Sequence, residues 1–184
     1  MLQFYFDMDG VLAIFQDCRH LPLERKPFMK EGSHYFLHRV PDYKALEIFQ
    51  TLYGPAVPGA SAKILTRLLD EDGHVTPELR REWWTDKRAW VLANTTGVDT
   101  SECFIASGPD KGRILDHVPL RLRKYHVLVD DYNPNLRNWQ SAGGTAVKYI
   151  NDLNTPESFD GPCLMRSWSA DKCVDVLLSL GAGA

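Results

Sequence analysis

Two carboxylates, Asp7 and Asp9, follow a short apolar run at the start of the chain, in the sequence FDMDGVLA. In an extended segment, side chains two residues apart point to the same side, so both carboxylates can address one ligand or one reacting group. Gly10 then permits a sharp turn. A calcium loop is disfavoured, because its twelfth position, counted from Asp7, is Cys18 instead of an acidic residue. Taken alone, the motif is either a reactive carboxylate pair or a plain turn.

A second acidic pair, Asp130 and Asp131, follows the apolar run VLV. Adjacent carboxylates after a buried strand cost free energy unless a cation compensates their charge. A hard cation such as Mg²⁺ is bound by oxygen ligands and fits such a pair. The alternative is a helix N-terminus, where the helix dipole favours acidic residues.

Two further polar residues stand where apolar runs end. Thr66 follows KIL, and its hydroxyl can hold a phosphate oxygen, although a solvated turn is an equally good explanation. Lys111 lies in SGPDKG, where it could neutralise phosphate charge and brace Asp7, or be an ordinary surface lysine.

The elements that must position these residues alternate between strands and helices. Short apolar runs at residues 2–6, 62–66, 103–107, 126–130 and 145–150 predict five buried parallel strands. Helical patterns occupy residues 42–53, 76–94, 133–143 and 169–180, and Thr76 followed by Pro77 predicts a helix start. This alternation predicts an α/β fold whose ligand site lies at the carboxyl ends of the strands.

The composition of the whole chain limits the classes of function. A length of 184 residues fits one globular domain with a small insertion, and the net charge of -3 argues against nucleic acid as a partner. Asp7 and Asp9 interrupt the first apolar run too early for a signal peptide or membrane span, so we expect no membrane association and a cytoplasmic location. The widely spaced Cys18, Cys103, Cys163 and Cys173 predict free thiols.

Taken together and in this order, the four elements resemble the haloacid dehalogenase superfamily of aspartate-nucleophile phosphatases. The resemblance runs from residue 2 to about residue 154. It implies a Rossmann-like three-layer sandwich with a central parallel sheet. The core would comprise residues 1–12 and 60–184, and residues 13–59 would be a small, helical cap inserted after strand one.

The resemblance also implies residue roles in an Mg²⁺-dependent reaction. Asp7 would be the nucleophile, and Asp9 the general acid and base. Mg²⁺ would be bound by Asp7, the backbone carbonyl of Asp9 and Asp130, with Asp131 as the competing carboxylate. Thr66 and backbone amides near Met8 and Asp9 would hold the phosphoryl oxygens, and Lys111 would offset charge in the transition state. Because the dehalogenase branch typically lacks the second acid, Asp9 favours phosphoryl chemistry.

A finer resemblance concerns the substrate. The stretch VDDYNPNLRNWQSAGGTAVKYINDLN and the segment DKRAWV are similar to the 5'(3')-deoxyribonucleotidase-like branch, which makes Lys87 a candidate substrate contact and a nucleoside monophosphate the expected substrate. Arg67 departs from the family pattern, which has a small polar residue there. The alternatives are a phosphatase for another small metabolite, such as a sugar phosphate, and a catalytically silent binding protein on the same fold.

The insertion is rich in rings that could face the site. They could stack on a nucleotide base or form a small core of the cap itself, and the second is the favoured interpretation for most of them: Phe15, His20, Phe28, His34, Tyr35, Phe36 and His38.

Overall fold

One parallel sheet of six strands forms the centre of the protein in a computed structural model, which describes residues 1–15, 20–68, 75–108 and 110–181. The strands are β1 (Leu2–Phe6), β2 (Ala60–Arg67), β3 (Phe104–Ser107), β4 (His126–Asp130), β5 (Thr145–Ile150) and β6 (Cys163–Met165). Their order across the sheet is β3–β2–β1–β4–β5–β6. All five predicted strands are confirmed. The sixth was missed because three residues are too few to show a period.

Within the described residues, six α-helices connect or flank the strands. They are α1 (Tyr43–Tyr53), α2 (Pro77–Asn94), α3 (Thr100–Cys103), α4 (Leu120–Arg123), α5 (Asn133–Ser141) and α6 (Ala170–Ser179). The predicted start of α2 is confirmed, since the Thr76 hydroxyl accepts a hydrogen bond from the Leu79 amide at 3.1 Å. Within the described residues, no helix combines the length and apolarity that crossing a bilayer requires.

The two faces of the sheet are both covered, because successive side chains of a strand point to opposite faces. Phe4 and Phe6 belong to a core shared with α1 and α6, whereas Tyr5 packs on the other face with Trp139 of α5. The predicted Rossmann-like three-layer α/β sandwich is therefore confirmed. Cys103, Cys163 and Cys173 are free thiols, as expected, and Cys18 lies outside the described residues.

A third, smaller core lies away from the sheet. Phe28, Tyr35 and Phe36 pack against Leu79 and Trp83 of α2. The rings of Phe28 and Trp83 meet edge to face with centroids 5.9 Å apart, and the Trp83 indole donates to the Phe28 carbonyl at 2.8 Å. We call residues 20–41 the cap segment. Phe28, Tyr35 and Phe36 thus form a small core with α2, the interpretation that the sequence favours for most of the rings, whereas His20, His34 and His38 are exposed.

Helix α1 differs from the cap segment in where it packs. Its buried Leu46 and Phe49 join the main core, and the Phe49 ring lies edge-on to Phe6 with centroids 5.7 Å apart. The predicted insertion of residues 13–59 thus consists of two parts. The cap segment packs against α2, and helix α1 packs against the sheet. We propose that the cap segment alone has the role of a cap.

Candidate active site

Three adjacent strand ends deliver the polar residues that the sequence singled out. Asp7 follows β1, Thr66 lies near the end of β2, and Asp130 ends β4. Strand β1 lies between β2 and β4, with Phe6 opposite both Ile64 and Val129. Because the chain leaves β1 to one side and later returns on the other, a crevice opens at this point of the carboxyl edge. The three residues therefore lie at one edge of the sheet, around its topological switch point.

Lys111 lies beneath the surface and bridges the carboxylates of Asp7 and Asp130. It begins a short 3-10 segment after β3 and is completely buried. Its Nζ lies 2.8 Å from Asp7 Oδ1 and 2.7 Å from Asp130 Oδ2. A buried ammonium between two carboxylates is stable only because both partners are present, and it holds them in one geometry. The prediction that Lys111 braces Asp7 agrees with this contact.

Burial changes the acidity of Asp7. The side chain is nearly inaccessible, and this desolvation raises its pKa to about 7. Lys111 lowers the pKa of Asp7, but Asp130 and Asp9 raise it through charge repulsion. Burial alone would lower the pKa of Lys111, but attraction to Asp130 and Asp7 outweighs burial and raises it. Negative charge therefore exceeds positive charge at this edge of the sheet.

Asp131 packs directly against the turn that follows Asp7. Gly10 has a φ of +90°, and a Cβ at this position would lie 2.4 Å from Asp131 Oδ2, so any other residue would be strained and would displace the Asp131 carboxylate. The Asn151 amide donates to Asp131 Oδ2 at 3.1 Å and to the Gly10 carbonyl at 2.8 Å. Sequence reasoning missed Asn151. Its position directly after β5, at the same edge of the sheet, was the available signal.

The carboxylates of Asp7, Asp130 and Asp131 can serve one cation. One oxygen from each lies within 4.8 Å of the others. Burial, followed by repulsion from Asp130 and Asp7, raises the pKa of Asp131 to about 8. An all-oxygen donor set with uncompensated negative charge suits a hard divalent cation. The residues present therefore fit the Mg²⁺ that the sequence predicts.

Asp130 and Asp131 differ in how much of their carboxylate is already engaged. Asp130 Oδ2 accepts from Lys111 and, at 3.0 Å, from the Asn135 amide. Asp130 Oδ1 accepts from the Tyr132 backbone amide at 2.9 Å. The hydrogen bond from Asn151 engages Asp131 Oδ2. Asp131 is thus the carboxylate with more unused acceptor capacity, and the choice between Asp130 and Asp131 as the direct ligand stays a prediction.

Asp9 is paired with Lys87. Lys87 is buried on α2, and its Nζ lies 2.5 Å from Asp9 Oδ2, 2.8 Å from Thr66 Oγ1 and 3.0 Å from the Arg67 carbonyl. Asp9 Oδ1 is buried and has no hydrogen-bond partner among the described residues. Among those residues, the Asp9 carboxylate is not part of the group around Asp7. One oxygen of Asp9 is therefore anchored while the other is available.

Phe36 and Arg67 lie next to the Lys87–Asp9 pair. The Phe36 ring of the cap segment lies over Lys87, with Nζ 4.2 Å from the ring centroid. The Arg67 side chain is half-buried, which lowers its pKa, whereas Tyr132, Asp7 and Asp130 act in the opposite direction. Arg67 is therefore within electrostatic range of the carboxylates.

Comparisons with known proteins add a fold relationship. No protein-family model matches the chain, and no curated protein does so either. A solved structure, that of the D,D-heptose 1,7-bisphosphate phosphatase from Burkholderia thailandensis, superposes with a TM-score of 0.60 at 11% sequence identity. The match covers 97% of this chain and 99% of that one. At this identity the likeness shows a common fold, over nearly the full length of both chains.

Proposed function

We propose that this protein is an Mg²⁺-dependent phosphomonoester hydrolase of the haloacid dehalogenase type, with Asp7 as its nucleophile. The observation that carries the proposal is the group formed by Asp7, Lys111, Asp130 and Asp131 at the switch point of the sheet. It presents one carboxylate toward the crevice, a buried ammonium that fixes it, and a second carboxylate for a cation. A phosphatase that shares the fold supports the same conclusion.

The proposed reaction has two steps. Asp7 attacks phosphorus, the bond to the leaving oxygen breaks, and Asp9 gives that oxygen its proton. Water then attacks phosphorus of the aspartyl-phosphate and passes a proton to Asp9, which releases inorganic phosphate and restores Asp7. Bound Mg²⁺ would screen the carboxylate of Asp7 from the phosphoryl group and would be held by Asp7, Asp131 and the Asp9 backbone carbonyl.

The other residues position the reacting groups. Lys111 holds Asp7 and Asp130 at a fixed separation. Lys87 orients Asp9 through one carboxylate oxygen and Thr66 through its hydroxyl. Thr66 and the backbone amides near Met8 and Asp9 are proposed to bind phosphoryl oxygens. Lys87 thus positions both the general acid, Asp9, and the proposed phosphate-binding residue, Thr66. This role is additional to the substrate contact expected from the sequence.

For the substrate we propose a sugar phosphate ahead of a nucleoside monophosphate. The phosphatase that shares the fold acts on a sugar bisphosphate. In addition, Phe28, Tyr35 and Phe36 are buried against one another and against Trp83, so these rings are not presented for stacking on a base. The nucleotide remains the second candidate because of the segments around Asp131 and Lys87 that resemble the nucleotidase branch.

A panel of phosphate esters and an Asp9→Asn variant test the proposal. We expect wild-type turnover of hexose phosphates, sugar bisphosphates, deoxynucleoside monophosphates or p-nitrophenyl phosphate only when Mg²⁺ is present. Asp9→Asn should lose about 10²–10⁴-fold on sugar phosphates, because their alkoxide leaving groups need a proton. The loss should be smaller on p-nitrophenyl phosphate, whose leaving group is a weak base. Asp116→Asn, an exposed acid elsewhere, is the control.

Two outcomes would contradict the proposal. Equal, near-normal turnover by Asp9→Asn on every ester would remove Asp9 from the mechanism. A complete lack of hydrolysis by the wild-type protein with Mg²⁺ would favour a binding protein on the same fold. Deoxynucleoside monophosphates as the best substrates would keep the hydrolase and reverse the order of the two substrate classes.

A further inference from the structure

A second group of potential metal ligands lies outside the candidate active site. It consists of His34 from the cap segment and of Glu82 and Asp86 from α2, with one ligand atom of each within 4.8 Å of the others. Glu82 and Asp86 are four residues apart, so their side chains lie one above the other on one face of the helix. The group therefore joins the cap segment to the helix that also carries Lys87.

Backbone amides orient the Glu82 carboxylate, and the His34 side chain contacts Asp86. The Gly32 amide donates to Glu82 Oε2 at 2.7 Å, and the His34 amide donates to Glu82 Oε1 at 3.0 Å. His34 Nδ1 lies 3.0 Å from Asp86 Oδ1. Hydrogen bonds of this kind orient ligating carboxylates in known metal sites and leave further lone pairs for a cation.

One oxygen in the group has no partner. Asp86 is only 3% exposed, and its Oδ2 forms no hydrogen bond with any described residue. An unsatisfied carboxylate oxygen away from water costs free energy. It belongs to the carboxylate whose other oxygen, Oδ1, contacts His34, and one oxygen of this carboxylate lies within 4.8 Å of ligand atoms of both His34 and Glu82. A cation bound at this point would satisfy it.

We propose that His34, Glu82 and Asp86 form a binding site for a divalent transition-metal ion such as Zn²⁺. One imidazole with two carboxylates suits zinc and its neighbours better than Mg²⁺, which prefers oxygen alone. The side chain of His34 is 55% exposed, so an ion can enter from solvent and water can complete the coordination. The site stands independently of the proposed hydrolase activity.

A metal ion at this site would also affect the cap segment. Phe36 follows His34 by two residues and covers Lys87, which binds Asp9. A metal ion that joins His34 to α2 would hold this part of the cap segment on the helix. Metal binding is therefore expected to protect the backbone amides of the cap segment from hydrogen exchange.

Calorimetric titration with Zn²⁺ tests the site. The titration uses the full chain with Asp131→Asn, in excess Mg²⁺, so that the active-site carboxylates do not contribute the signal. We expect one Zn²⁺ per chain. His34→Gln and Asp86→Asn should each weaken binding at least about tenfold. His38→Gln, which replaces an exposed histidine of the same segment, should bind as before.

Two results would overturn the inference. One is a lack of Zn²⁺ binding by the Asp131→Asn protein, which would leave His34 and Asp86 as an ion pair only. The other is binding that His34→Gln and Asp86→Asn do not weaken although circular dichroism shows both variants folded. Hydrogen exchange of the cap segment with and without Zn²⁺ gives a second readout, and unchanged exchange would remove the proposed effect on the cap.

Discussion

The carboxyl edge of the sheet and the cap segment both contain paired charges, but the two regions hold them differently. At the edge, Lys111 is completely buried between Asp7 and Asp130. In the cap segment, His34 is mostly exposed and reaches Asp86 on a neighbouring helix. Asp7 and Asp130 stand at the ends of hydrogen-bonded strands, whereas His34 lies in a loop and has a φ of +48°.

The two regions should therefore differ in how much a substitution lowers activity and stability. A buried ion pair interacts through a low effective dielectric, and loss of one partner leaves an uncompensated charge. In the His34–Asp86 pair only Asp86 is buried, and solvent screens the exposed imidazole, so we expect this pair to contribute less than the fully buried one. We therefore expect substitutions at the edge to abolish chemistry or destabilise the whole domain. Substitutions in the cap segment should alter substrate choice and local stability.

The largest effect is expected for Asp7→Asn. An amide is a poor nucleophile and does not ionise, so turnover should fall by at least about a thousandfold, or about 4 kcal/mol of activation free energy. The fold should persist, because Lys111 keeps Asp130 as a partner. Steady-state kinetics with p-nitrophenyl phosphate and circular dichroism measure the two quantities. Retention of turnover in a folded variant would show that the edge does not carry the chemistry.

The next effect concerns stability and compares the two regions directly. Lys111→Met should lower the free energy of unfolding by about 3–5 kcal/mol, because it leaves Asp7 and Asp130 buried beside each other without a cation. His34→Gln should cost far less, and the exposed Lys124→Met is the matched control for lost charge. Urea unfolding with tryptophan fluorescence measures all three. Similar losses for Lys111→Met and His34→Gln would contradict the contrast between the regions.

Phe28→Ala tests the cap segment. The variant removes the ring at the centre of the small core with Trp83, at a local cost of about 3 kcal/mol. We expect faster hydrogen exchange in the cap segment and a higher KM for the preferred metabolite, with a smaller change for p-nitrophenyl phosphate. Phe159→Ala, in the core beside α5, should instead lower global stability. An equal loss of activity on both substrates would show that the cap segment also organises the edge.

The same contrast explains what the sequence allowed us to predict. Asp7, Thr66 and Asp130 could be predicted to meet, because parallel strands place their carboxyl ends at one edge of a sheet. Phe28 and Trp83 are far apart in the chain, and no period or turn signal relates them. The position of Asn151 directly after β5 could have placed it at the same edge, but its contacts with Gly10 and Asp131 could not be read from the sequence. Side-chain contacts between distant segments leave little local trace in a sequence.

The smallest expected effect is the pH dependence of stability and of Mg²⁺ binding at the carboxyl edge. Burial raises the pKa of Asp7 to about 7 and that of Asp131 to about 8, far above the value of about 3.9 for an unfolded aspartate. Without a metal, the folded state therefore keeps protons that the unfolded chain releases, and stability should fall as pH rises from about 4 to about 8. Mg²⁺ needs both carboxylates ionised and must displace those protons at low pH.

Mg²⁺ should consequently bind more tightly as pH rises from 6 to 8, by about tenfold or more, and should raise the melting temperature more at pH 8 than at pH 6. Titration calorimetry in two buffers with different ionisation enthalpies counts the protons released on binding. Asp131→Asn should release fewer protons, because one of the two titrating carboxylates is gone, whereas Asp116→Asn should match the wild type. Equal affinity at pH 6 and pH 8 without proton release would mean that the buried carboxylates are already ionised. In that case Lys111 would compensate the edge fully, and the difference between the edge and the cap segment would be one of burial alone.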